Sequence, residues 1–151
     1  MFETTPRIAL VVSQFNPEVT HGLRDGALAY LRETGISVAP DHIYSAPGAF
    51  EIPLIARRLA RSGFDGVICL GCVIKGDTAH FEYISEATAH GLMQVGLETD
   101  KTITFGILTT YTDEQAILRS RGDEHNKGRE AAAACLEVLR TFAAHSSGPN
   151  R

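Results

Sequence analysis

Gly71, Gly76, Thr78 and His80 lie close together in the stretch Leu70-Gly71-Cys72-Val73-Ile74-Lys75-Gly76-Asp77-Thr78-Ala79-His80-Phe81. The stretch leaves an apolar run, Val67-Ile68-Cys69-Leu70, crosses two glycines and enters a helical pattern with a histidine in its first turn. Exposed backbone N–H groups at such a strand-to-helix turn can hold an anion. Gly71 and Gly76 have the spacing of a nucleotide-binding G-x-x-x-x-G-K-[ST] loop and Thr78 matches its last position, but Asp77 replaces the lysine. A carboxylate there repels a triphosphate, so the turn is expected to cradle a single phosphate. A helix N-terminus disfavours the charged imidazolium, which suits His80 to the role of general base. Taken alone, a lone histidine is more often polar surface.

Other reactive types sit where strands are expected to end. Phe15, in the polar turn Ser13-Gln14-Phe15-Asn16, is placed either to stack on a flat ring or to fold back onto the core. Glu51, beside Phe50 and two prolines, is either a solvated carboxylate or an acceptor for hydroxyl groups. Arg119 and Lys127 flank a polar loop, and surface cations are their default reading. Lys127, however, stands just inside a helix N-terminus, where positive charge is misplaced and an anionic ligand would relieve it. Cys69 and Cys72 form a C-x-x-C, but residues three apart on a strand point to opposite faces, so they read as buried small residues. There is no H-E-x-x-H and no G-x-G-x-x-G after a strand, and no metal site is expected.

The elements that must position these residues alternate in type. Apolar runs at 8–12, 66–70 and 102–108 predict strands, and 36–44, interrupted by Pro40, predicts a weaker strand at a sheet edge. Helical spacing predicts helices from Pro17 to a stop at Gly35, from Leu54 to near Gly63, and from Phe81 to Val95. Thr112 is the expected N-cap of a short helix ending at Leu118, and Asn126 that of an alanine-rich final helix. Gly22 and Gly26 share one helix face and permit close packing. Strands alternating with helices imply parallel pairing through right-handed crossovers, hence a three-layer α/β/α sandwich around a sheet of about four strands. Ligands in such sheets bind beyond the carboxyl ends of the strands.

A chain of 151 residues is expected to form one domain over 1–151, with 1–6 and 146–151 flexible. The net charge of −4 and the lack of a basic block argue against nucleic acid, while phosphorylated small molecules need only a local cation cluster. No signal peptide or membrane-spanning run is evident, so the cytoplasm is the expected compartment.

Read together, several motifs resemble one family. They are Phe15-Asn16 after the first strand, Pro47-Gly48-Ala49-Phe50-Glu51-Ile52-Pro53, the stretch from Gly71 to Phe81, Phe105-Gly106-Ile107-Leu108-Thr109-Thr110, Glu114-Gln115-Ala116 and Asn126-Lys127-Gly128. In this order and spacing they resemble the 6,7-dimethyl-8-ribityllumazine synthase family of riboflavin biosynthesis. The resemblance implies a flavodoxin-like fold and a transferase that condenses 5-amino-6-(D-ribitylamino)uracil with 3,4-dihydroxy-2-butanone 4-phosphate, releasing phosphate and water, with no metal or organic cofactor. It implies that Phe15 stacks on the pyrimidine, Asn16 and Glu51 hold the ribityl chain, and Ala49, Phe50, Val73 and Ile74 line the pocket. By the same resemblance Gly76, Asp77 and Thr78 form the phosphate turn and Arg119 pairs with the phosphate. His80 would transfer protons, Lys127 orient substrate, and Phe105 reach in from a neighbouring subunit of a homopentamer or a multiple of it. A lumazine- or flavin-binding protein without turnover, or a shell-forming protein, remains the alternative. Two positions depart from the family pattern: Tyr111 stands where many members have aspartate, and Arg121-Gly122-Asp123-Glu124-His125 is more charged than the usual small-residue loop.

Overall fold

The computed structural model describes residues 2–146. Four strands form one parallel sheet in the order β2-β1-β3-β4: β1 is Ile8–Ser13, β2 Ile43–Ala46, β3 Gly66–Ile74 and β4 Thr102–Thr110. Helices α1 (Pro17–Glu33) and α5 (Lys127–Ser146) cover one face, and α2 (Ile52–Ala60) and α3 (His80–Thr99) the other, with short α4 (Asp113–Leu118) after β4. The expected three-layer sandwich is the observed one.

Alternation along the strands divides the interior into two cores. Ile8, Leu10 and Val12 of β1, with Ile68, Leu70 and Cys72 of β3, meet Leu23, Ala27, Leu136 and Leu139 beneath α1 and α5. Ala9 and Val11, with Val67 and Cys69, meet Ile52, Ala56, Leu92 and Val95 on the other side. Because both faces are covered, β1 and most of β3 carry no polar alternation, as buried parallel strands require. Cys69 and Cys72 do point to opposite faces, and all three cysteines are buried and free. Burial pushes the Cys72 and Cys135 thiols up to about 12, and Cys69 higher still. We therefore expect the native protein to resist a thiol reagent at neutral pH and to release three equivalents on denaturation. Rapid native labelling would contradict that burial.

Two strand boundaries differ from the sequence expectation. The second strand does not run from 36 to 44. Pro40 opens a short 3-10 turn, Pro40–His42, so the strand begins at Ile43 and pairs only with β1, at the sheet edge. The third strand does not end at Leu70 but continues to Ile74, so Gly71 lies in the sheet rather than in a turn. A side chain at Gly71 would press on Ser13 Oγ at 3.0 Å and on the Ile52 and Ile107 methyl groups at 3.2 Å. The glycine answers to packing, and its likeness to a nucleotide loop is a coincidence of spacing. Smaller shifts extend β4 to Thr110 and start α2 at Ile52, after a 3-10 turn over Ala49–Glu51. Ser146 closes α5, and the remaining residues expected to fray, 147–151, lie outside the described residues.

Helices α1 and α5 are tied by a bidentate pair, with Arg129 donating to the Glu33 carboxylate at 2.7 and 3.0 Å. The guanidinium hydrogen bond holds the Glu33 carboxyl below its ordinary range. A carboxyl lowered by folding contributes stability above its unfolded pKa and loses it as pH falls through the folded value. Glu33→Gln should therefore lower the melting temperature at pH 7, with the gap to wild type closing in acid. A gap that widened in acid would contradict the pairing.

Candidate active site

Strand order reverses direction between β1 and β3: the chain leaves β1 toward β2 on one side, and β3 lies on the other. The crevice outside the carboxyl ends at such a switch point is the binding position of open α/β sheets. A cavity of about 480 Å³ opens there, lined by Phe15, Asn16, Gly48 to Glu51, Cys72, Val73, Ile74, His80 and Ile84. Every expected pyrimidine-pocket residue is in this lining.

Local structure fixes each wall. Asn16 adopts a left-handed conformation, φ 57°, which asparagine tolerates better than most residues. Its carbonyl accepts from the N–H groups of Val19 and Thr20 to start α1, and its side chain donates to the Cys72 carbonyl at 3.3 Å. The turn after β1 is thus anchored to β3. Phe15 is 68% exposed, so the ring does not fold into the core. It lies over Gly48, where a Cβ would come within 2.9 Å of the ring and 3.3 Å of Glu51 Oε2. Glu51 accepts from the Gly48 N–H at 3.1 Å, which aims its carboxylate at the rim of the cavity. Sequence reasoning missed Gly48, Cys72 and Ile84 as lining residues. Ile84 was accessible, since it stands one helical turn after His80 on the same face.

His80 is the first residue of α3, within the first helical turn where the sequence placed it and one residue ahead of the expected start at Phe81. The segment before it, from Lys75 to Ala79, is exposed. Lys75 N–H donates to the Thr110 carbonyl at 2.9 Å, and Thr78 Oγ1 accepts from the His80 N–H at 3.3 Å. The N–H groups of Gly76, Asp77, Thr78 and Ala79 meet no acceptor among the described residues. Four successive N–H donors next to a helix start are thereby left available to a ligand. Tyr111 packs at this end of the sheet, its ring centroid 6.0 Å from that of Phe81 and 5.7 Å from Lys75 Nζ, while Lys75 pairs with Glu82 at 3.3 Å.

Phe105, Arg119 and Lys127 are not in this cavity. They line a second one, of about 600 Å³, with Leu118, Arg121, Asp123, His125 and Glu130. Two devices shape it. The Lys127 N–H donates to the Arg119 carbonyl at 2.8 Å, joining the two cations across the loop. Asn126, fully buried, donates to the carbonyls of Gly22 and Arg121 at 3.0 and 2.7 Å and accepts from the Arg129 N–H at 3.0 Å, so it caps α5 and pins the loop to α1. The charge misfit expected at Lys127 is partly relieved within the chain, because Glu130 pairs with its ammonium at 3.1 Å. A third cavity, of about 400 Å³, is almost wholly apolar; Leu92, Met93, Leu97, Ile103 and Val138 line it together with Phe105. No helix among the described residues is long and apolar enough to cross a membrane.

Fold and crevice define a flavodoxin-like α/β protein with a cavity at its topological switch point. Comparison with known proteins supplies the family: the 6,7-dimethyl-8-ribityllumazine synthase model matches residues 5–143, and the chain belongs to that family. It is 63% identical over 138 residues to the 6,7-dimethyl-8-ribityllumazine synthase 1 of Caulobacter vibrioides, covering 91% of this chain and 90% of the relative. The synthase of Protochlamydia amoebophila is 47% identical over 88% of this chain and 78% of its own length, and that of Coxiella burnetii 43% over 93% of both.

Proposed function

We propose that the protein is a transferase that condenses 5-amino-6-(D-ribitylamino)uracil with 3,4-dihydroxy-2-butanone 4-phosphate to 6,7-dimethyl-8-ribityllumazine, releasing phosphate and water. Membership of the family and high identity to named synthases support the reaction. Phe15 stacks on the pyrimidine, against a wall of Ala49, Phe50, Val73 and Ile74. Asn16 and Glu51 take the ribityl hydroxyls. Gly76, Asp77 and Thr78 present their N–H groups to the phosphate, and His80, two residues further along the chain, moves protons between the amine, the carbonyl and the leaving group. Imine formation, phosphate elimination and ring closure need proton shuttling and alignment more than a strong nucleophile.

The observation that carries the site assignment is the separation of the two cavities together with the double placement of Phe105. The switch-point cavity lacks a cation among its lining residues, and the cationic cavity shares no residue with it. Phe105 borders both the cationic cavity and the apolar one. A copy of this chain docked on the apolar surface therefore abuts Phe105, Arg119 and Lys127, which complete that copy's own switch-point cavity. Exposed Met93, Leu97, Val138 and Phe142 give the contact its apolar area. Two different surfaces meet in such a contact, so it is head-to-tail and gives a ring where the rotation between copies closes. We take the ring to be a pentamer, working in the cytoplasm. Sedimentation giving a stable monomer would overturn the assembly.

Mixing both substrates with the purified protein tests the reaction. Lumazine absorbance should rise well above the uncatalysed rate. Tight product binding with no acceleration would instead identify a binding protein. Arg119→Ala should raise KM for the phosphorylated butanone about tenfold and leave that for the pyrimidine nearly unchanged. Equal losses for both substrates would contradict the role given to Arg119.

A further inference from the structure

We propose that Arg121, in the charged loop that departs from the family pattern, is a second anion-binding residue that grips the substrate phosphate together with Arg119. The proposal rests on the split-site reading above. The cationic cavity is lined by three permanent cations, Arg119, Arg121 and Lys127, against two carboxylates, Asp123 and Glu130. Remove Arg121 and the formal charge of that wall is zero. The single excess positive charge of the wall thus depends on Arg121 as much as on Arg119 or Lys127.

The three cations are not equally available. Lys127 is engaged by Glu130 at 3.1 Å, and Arg119 already donates to the Gln115 carbonyl at 3.0 Å. The Arg121 guanidinium has no hydrogen bond or ion pair among the described residues. Its main chain, in contrast, is held. The Arg121 carbonyl accepts from the buried Asn126 amide at 2.7 Å and from the Asp123 N–H at 2.9 Å. A free fork on an anchored backbone is suited to bidentate phosphate recognition.

The charge on the ligand calls for it. A phosphate monoester carries roughly −1.5 to −2 at neutral pH. The turn it faces includes Asp77, another carboxylate, so one guanidinium leaves the site short of positive charge. Two arginines, with the free N–H groups of residues 76–79, bring it near balance.

The test is titration of the assembled protein with inorganic phosphate, followed by its inhibition of turnover in competition with the butanone phosphate. Arg121→Gln should weaken phosphate binding about tenfold and raise KM for the butanone phosphate by a similar factor. The pyrimidine KM should stay within about twofold of wild type. Arg121→Lys, which keeps the charge and loses the fork, should fall between. Asp123→Asn, which keeps an acceptor for the His125 N–H and removes the opposing charge, should tighten phosphate binding. Phosphate constants unmoved in Arg121→Gln, with sedimentation unchanged, would overturn the proposal. An inert wild type that still bound phosphate in an Arg121-dependent way would refute the condensation and uphold the anion site.

Discussion

Gly128→Val should cost about 3 kcal/mol or more of folding stability, a large share of what an ordinary domain has. Gly128 sits in the first turn of α5, and a Cβ built there collides with the main-chain carbonyl of Leu23 in α1. A flexible side chain could swing aside; a helix backbone cannot. On the α1 side a Cβ at Gly26 would collide with the buried Asn126 amide, and one at Gly22 with the Ser120 carbonyl. Gly128 thus lets α5 close on α1, and the shared face of Gly22 and Gly26 allows the close packing expected of it, against Ser120 and Asn126 of the preceding loop. Separating the two helices would also disturb the Asn126 anchor that sets the 119–127 loop. Urea unfolding of the variant measures the loss, and a midpoint equal to that of wild type would show that α1 and α5 yield without strain.

His80→Ala should act on turnover and spare binding. On the proposed reading kcat falls roughly 10- to 100-fold, toward the low end for a lost acid–base group because alignment of the two substrates survives. The melting temperature should barely change, since the residue is exposed and its ring makes no hydrogen bond or ion pair among the described residues. Both KM values should hold. A variant with normal kcat and a raised KM would recast His80 as a binding residue.

The layers of this fold were legible because burial dictates them. Continuous apolar strands, helical spacing and the caps Thr112 and Asn126 each leave a local signature, and Gln115 and Arg129 N–H groups do bond those caps. Strand ends were less legible. Nothing in Gly71 distinguishes a turn glycine from one that makes room for Ser13, Ile52 and Ile107, because the deciding atoms come from other elements. Pro40 did announce an interruption, but whether the chain resumes as strand depends on where β1 offers a partner. The lining of the switch-point cavity could be assembled from residues that follow neighbouring strands. The displacement of Arg119 and Lys127 into a separate cavity could not, since spacing along a chain is blind to which copy completes a site. The pairing of Lys127 with Glu130 was within reach, being three residues apart on a helix.

Complementation between two crippled variants tests the shared site most directly. Phe15→Asp damages only the switch-point cavity, and Arg119→Glu only the cationic wall. Each variant alone should lose about 100-fold in activity. Unfolded together in equal amounts and refolded, they form mixed rings in which about a quarter of the contacts unite an intact cavity with an intact wall, as random head-to-tail pairing requires. The account predicts recovery to about that fraction of wild-type activity. Mixed assemblies no more active than either parent would contradict a site built from two copies of the chain.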